Sequence, residues 1–198
     1  MNQVKSIAPT LLVIFSIFWI LLAINPFNRE VWAAENTILI ICFYYLINTY
    51  SRFKLSNASY LLIFTFCILQ TIGAHYSYTE VPLGFWVSEL FEIERNHYDR
   101  LVHFAFGFLI VLPFKEVLIR FVKFTNQRTE RTILVLLFIG IGGCYEIIEW
   151  WYALAFEQGV QANDFLGSQG DIWDAEKDVF LAGLGAWIYL FIFSKNKT

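Results

Sequence analysis

Six stretches of this chain are apolar over close to the length of a membrane-crossing helix, and no other feature narrows the possible fold as much. A helix needs about 17–25 mostly apolar residues to cross a bilayer. The stretches run at about 9–24, 31–50, 60–76, 99–122, 132–154 and 174–193. Composition agrees: 58% of the 198 residues are hydrophobic and only 16% are charged, against roughly 25% charged in soluble domains. The expected fold class is all-α: a polytopic transmembrane bundle of about six spanning helices, forming a single domain over 1–198. Lys5 precedes the first stretch, but no small-residue cleavage site follows it directly, so it reads as an uncleaved first helix.

Charge sets the expected orientation. Ten Lys and Arg fall on one side: Lys5, Arg52, Lys54, Lys115, Arg120, Lys123, Arg128, Arg131, Lys195 and Lys197. Four fall on the other: Arg29, Arg95, Arg100 and Lys177. The positive-inside rule then puts both termini in the cytoplasm. No basic tract suggests nucleic acid, and membrane lipids are the expected partners. Cys42, Cys67 and Cys144 sit singly in apolar runs and read as small core residues.

Ionisable residues inside these runs are costly and must face the bundle interior. Helical rise places Glu146 about 21 Å and Glu149 about 25 Å from the cytoplasmic start of the fifth run, and His75 about 22 Å along the third. Glu35, His103 and Asp178 lie about 6 Å into inward-running helices. All therefore reach the outer third of the membrane. Asp99 and His103 are four residues apart, as are Asp174 and Asp178; Glu146 and Glu149 are three apart, as are Asp171 and Asp174. Such pairs share one helix face. The expected centre comprises Glu35, His75, Asp99, Arg100, His103, Glu146, Glu149, Asp171, Asp174 and Asp178.

Carboxylates and imidazole ligate divalent metals, and paired carboxylates suit acid–base work. A divalent metal is a possible cofactor, with His103, Glu146, Glu149 and Asp178 as its candidate ligands. Three readings stay open: a membrane enzyme acting on an envelope lipid, including a metal-dependent hydrolase; a binding pocket for such a molecule; or a salt-bridge network that only holds the helices in register. No Ser or Cys nucleophile stands beside a His, which counts against covalent catalysis. Taken alone, His75 and His97 read as local hydrogen-bonding residues.

Other features have structural readings. Gly140, Gly142, Gly143, Gly183 and Gly185 fit close helix packing. Pro113 is expected to kink the fourth span. Lys115 and Glu116 near the inner surface are expected to pair or snorkel. Val81 to Ile93 reads as a short amphipathic helix lidding the centre from the outer interface. Trp32, Trp150, Trp151 and Trp173 fit an outer aromatic belt. "DFLGSQGDIWD" (164–174) has turn spacing, with Asp171 or Asp174 as a helix cap.

Five blocks carry a resemblance: "REVWAAE" (29–35), "GAHYSYTEVPLGFW" (73–86), "RNHYDRLVHFAFG" (95–107), "YEIIEWW" (145–151) and "LGSQGDIWDAEKD" (166–178). Together they resemble the YjdF-like family of bacterial inner-membrane proteins. The resemblance implies a bacterial inner-membrane location and no particular reaction. A weaker one is to VanZ-like membrane proteins, whose D-K-x-x-H-F block Asp99 and His103 match, with Arg100 in place of Lys. There, Glu146 or Glu149 and Asp174 or Asp178 match the later acidic positions.

Overall fold

The computed structural model describes residues 6–156 and 167–193. Lys5, Lys195 and Lys197, and 157–166 of the last outer connection, lie outside the described residues. The described residues form seven helices: α1 (Ala8–Leu22), α2 (Arg29–Thr49), α3 (Asn57–His75), α4 (Pro82–Phe91), α5 (Tyr98–Phe121), α6 (Gln127–Phe156) and α7 (Asp174–Phe193).

Local chemistry sets the helix starts. Asn28 accepts from the amides of Glu30 and Val31, and Ser56 from that of Ser59. Prolines open α1 and α4, where a missing N–H costs nothing. Asn126 accepts from the Thr129 amide, which starts α6 five residues before the expected Thr132. Asp171 accepts from the Trp173 amide just ahead of α7.

Four helices are long and apolar enough to cross a membrane: α2, α3, α5 and α6. α1 has only 15 residues, and α7 carries Asp174, Glu176, Lys177 and Asp178 in its first five. The seventh helix is α4, which falls in the connection between α3 and α5. Large apolar side chains point outward on every helix, among them Ile17, Tyr45, Leu136 and Phe191. Such a surface is satisfied by lipid rather than water.

The helices alternate in direction. At one end, His75 of α3 bonds the Leu22 carbonyl of α1, and Arg29 of α2 bonds that of Ala23. Arg95 and Arg100 meet the start of α7 at the same end. At the other end, Ile7 bonds Asn57, Ser56 bonds Glu116, and Lys115 pairs with Glu130.

α5 is the central helix, packed on α3 and most extensively on α7. A Cβ on Gly107 would lie 1.9 Å from the Ala182 carbonyl oxygen, and one on Gly185 would lie 2.2 Å from that of Phe104. The two backbones thus touch, as small residues allow in bilayers. Gly183 leaves room for Ile139, and Gly142 for Ala182. Gly140 has nothing within 4 Å and takes no part in this seam, contrary to expectation. Below the seam Val111, Leu134, Phe138, Ala186 and Leu190 form an apolar core.

Two further expectations need correction. Cys67 is buried, but Cys42 and Cys144 are exposed on outer helix faces. Apolar surface here need not be core, because lipid solvates it. The second concerns the lid. α4 forms as expected, yet it is anchored by Gly84 and Ser88 to the Arg95–Asn96 turn, while Trp86, Leu90 and Phe91 point away. The segment over the centre is 167–171 instead. Gly167, at φ +62°, brings its Cα so close to Asp99 that a Cβ would sit 3.3 Å from Oδ2.

Candidate functional site

The start of α5 is built by Asn96. Its side-chain amide donates to the Thr79 and Val81 carbonyls at 2.9 and 3.0 Å, and its Oδ1 accepts from the Tyr98 amide. Its backbone exchanges two bonds with the Gln169 side chain. One buried residue thereby fixes α4, the first turn of α5 and the 167–171 segment together. Arg95 adds bonds to the Gly167 and Ser168 carbonyls.

Beneath that frame the acidic residues form two layers. In the outer layer, Asp174 sits 2.6 Å from Arg95 and 3.2 Å from Arg100, and Asp171 pairs with Arg100 and, at 2.5 Å, with Lys177. The Lys177 ammonium, the Trp173 amide and Arg100 hold the Asp171 carboxyl well below its ordinary range. Arg100 also lies 3.2 Å from Nδ1 of His97. Burial, then Arg100 and Arg95, hold His97 below its usual value.

The inner layer contains Asp99 and His103 of α5, Glu146 and Glu149 of α6, and Asp178 of α7. Nε2 of His103 is 3.6 Å from Asp99 Oδ1 and 3.4 Å from Glu146 Oε1. Ligand atoms of Asp99, His103 and Asp178 all fall within 4.8 Å of one another. Glu149 is buried within electrostatic reach of Asp99, Glu146, Glu35 and Asp178. Among the described residues, no Lys or Arg comes within 4.0 Å of any of these carboxylates. Asp178 Oδ1 and Glu146 Oε1 have no hydrogen-bond partner, and neither do Arg95 Nε and Arg100 Nε.

Glu35 of α2 lies at the edge of this layer. Its Oε2 accepts from Tyr145 at 2.6 Å, Gln70 at 3.0 Å and Tyr78 at 3.1 Å. The Tyr145 ring stands edge-on to His103, with centroids 5.8 Å apart, and so joins Glu35 to the inner layer. His75 is placed differently from the expected centre. Its Nδ1 is 2.8 Å from the Leu22 carbonyl oxygen and its ring packs edge-on against Tyr76. It ties α3 to α1, because the exposed carbonyls at the end of α1 need a donor.

Among the expected metal ligands, His103 and Asp178 lie in the compact group, Asp99 joins them, and Glu146 stands beside His103. Sequence reading missed Tyr145, Tyr78, Gln70 and Asn96. Tyr145 had a usable signal, since it stands four residues before Glu149 on the same face. Tyr78 and Asn96 sit in connections, where spacing gives no face.

Comparison with known proteins agrees with this architecture. The chain matches the family described as "Predicted membrane protein (DUF2238)" over residues 7–197. It belongs to that family. It is also 39% identical over 163 residues to inner membrane protein YjdF of Escherichia coli (strain K12), covering 82% of this chain and 77% of that one. No solved structure matches it significantly. This DUF2238 member is thus a multi-pass membrane protein of YjdF type, with an Asp/Glu/His centre. The likeness to VanZ-like proteins rests on the sequence blocks alone.

Proposed function

We propose that this DUF2238 protein is a single-domain, six-span protein of the bacterial inner membrane, with both termini cytoplasmic, and that its polar centre faces outward to bind the head group of an envelope lipid or a related molecule. The topology is supported by the ten-to-four division of Lys and Arg and by the alternation of the helices. α1 and α7 then cross despite being short or charged at one end; in α7 the Asp174 carboxylate is met by Arg95 and Arg100, and Asp178 is turned into the bundle. Reporter fusions after Lys197 and within 77–98 should report opposite sides. Finding them on one side would reject the topology.

One observation carries the binding reading: the two stacked layers hold buried donors and buried acceptors that no protein group fills. Arg95 Nε and Arg100 Nε have hydrogens to give, while Asp178 Oδ1 and Glu146 Oε1 have lone pairs to fill. Buried polar groups normally find partners within the protein. A zwitterionic or phosphate-and-hydroxyl head group supplies both kinds at once. A purely structural network needs every charge paired, and only the outer layer meets that condition.

Native mass spectrometry of the detergent-purified protein, loaded with inner-membrane lipid extract, tests the reading. Wild type should retain one head-group class preferentially, and Glu146→Gln and Arg95→Lys should weaken that retention about tenfold. Identical, unselective lipid adducts on all three proteins would defeat it.

A further inference from the structure

Charge accounting in the inner layer shows a deficit of cations. Arg95, Arg100 and Lys177 are taken up by Asp171 and Asp174. What remains is Asp99, Glu146, Glu149 and Asp178, with His103 their sole basic neighbour within 4.0 Å. Like charges gathered at low dielectric repel strongly, and a bound cation is one way to hold them.

Geometry narrows the choice. Asp99, His103 and Asp178 come from two helices whose backbones touch at Gly107 and Gly185, so their spacing is rigidly set. Their ligand atoms lie within 4.8 Å of one another. Adjacent ligands of a tetrahedral ion with bonds of about 2.1 Å are about 3.4 Å apart, so closure by at most about 1.4 Å brings all three onto one ion. Asp178 is only 1% exposed, and its Oδ1 has no partner. A buried carboxylate oxygen left unfilled beside two other donor groups is an independent sign of a missing ligand. Glu146 Oε1, also unfilled and 3.4 Å from His103 Nε2, is placed to become a fourth donor. The Tyr145 ring against His103 holds the imidazole in orientation.

We infer that Asp99, His103 and Asp178 form a binding site for one divalent transition-metal ion, with Glu146 beside it. One imidazole and two or three carboxylates suit an ion of borderline hardness such as Zn2+ or Mn2+; Mg2+ and Ca2+ favour all-oxygen shells. The inference rests on reading the centre as a functional site. It adds the means by which a carboxylate-lined pocket would accept an anionic head group: the ion offsets the acids and, with Arg95 and Arg100 above, attracts phosphate.

The test is titration of chelator-stripped full-length protein in detergent with Zn2+ and with Mn2+, followed by isothermal calorimetry in two buffers of different ionisation enthalpy. Wild type should take up one ion of at least one of these metals and release protons as it does so. Asp178→Asn and His103→Gln should each weaken that uptake at least tenfold. Asp171→Asn, confined to the outer layer, should leave it unchanged. A thermal scan of each variant shows that it is folded, and saturating metal should raise the melting temperature of wild type and Asp171→Asn more than that of Asp178→Asn or His103→Gln. Absence of saturable uptake of both metals by folded wild type, or uptake unaltered in folded Asp178→Asn and His103→Gln, would overturn the site. Selective lipid retention that persists in chelator would also overturn the ion's part and leave the head-group reading standing. Metal uptake with unselective lipid adducts would uphold the ion site and sink the head-group reading.

Discussion

Both layers of the polar centre are rich in carboxylates and sit about one helix turn apart, yet they differ in how they are satisfied. The outer layer sets Asp171 and Asp174 against Arg95, Arg100 and Lys177, and each acid has more than one partner. The inner layer sets four acids against one histidine. Position explains the contrast. The outer residues occupy a connection and two helix starts, where long Arg and Lys side chains can turn to meet an acid. The inner ones project from the facing sides of α5, α6 and α7, and no Lys or Arg among the described residues comes within 4.0 Å of them. The outer layer works as a clamp across α5, 167–171 and α7, while the inner layer holds unspent binding capacity. Removing one partner from a buried pair is costly, whereas removing one charge from a repelling group is not.

The largest effect should come from breaking the clamp. Arg100→Ala strips a partner from Asp171 and Asp174, whose pairs are only partly exposed. We expect a loss of stability, the largest of the four effects, seen as a lower melting temperature in detergent. An unchanged melting temperature would mean that the outer layer clamps nothing.

The opposite sign is expected one turn deeper. Asp178→Asn keeps the shape and removes a charge that no Lys or Arg among the described residues approaches within 4.0 Å. In metal-free buffer it should leave stability unchanged or raise it, because it relieves repulsion among neighbouring acids. A marked loss would place Asp178 in a paired network and erase the difference between the layers.

A smaller effect should follow pH. Folding depresses the Asp171 carboxyl through Lys177, the Trp173 amide and Arg100. A carboxyl lowered in the fold stabilises it above its unfolded pKa, about 3.9, and that contribution fades as pH falls through the folded value. Between pH 6 and pH 3 wild type should therefore lose more melting temperature than Asp171→Asn. Equal losses would remove Asp171 from the clamp.

The smallest effect is expected outside both layers. Gly140 has open space around it, so Gly140→Ala should stabilise α6 by under about 1 kcal/mol through helix propensity alone. A destabilisation in the same melting assay would reveal packing on that face.

Much of the helical plan was legible from the sequence. The six apolar runs coincide with α1, α2, α3, α5, α6 and α7, with ends shifted by at most five residues. Glu146 and Glu149 stood out because they interrupt an otherwise apolar face. Pro113 lies within α5, which continues as one helix to Phe121. Lys115 meets Glu130, and the Glu116 carboxylate accepts from the Ser56 amide.

Hydrophobic length and helical period, properties of the chain taken locally, determined the class, the helices and which polar residues had to turn inward. Only the tertiary structure decided which of them meet. It turned His75 to a carbonyl on α1, brought Tyr145 between Glu35 and His103, and put Gly167 rather than α4 over Asp99. It also separated paired acids from unpaired ones. The spacing of Asp171, Asp174 and Asp178 along the chain is nearly uniform, so the sequence treats them alike. Apart from the nearby Lys177, the cations that pair with Asp171 and Asp174 are Arg95 and Arg100, more than 70 residues away in the chain, and neither is within 4.0 Å of Asp178. Pairing at that distance depends on how close two helices approach, and here Gly107 and Gly185 set that approach.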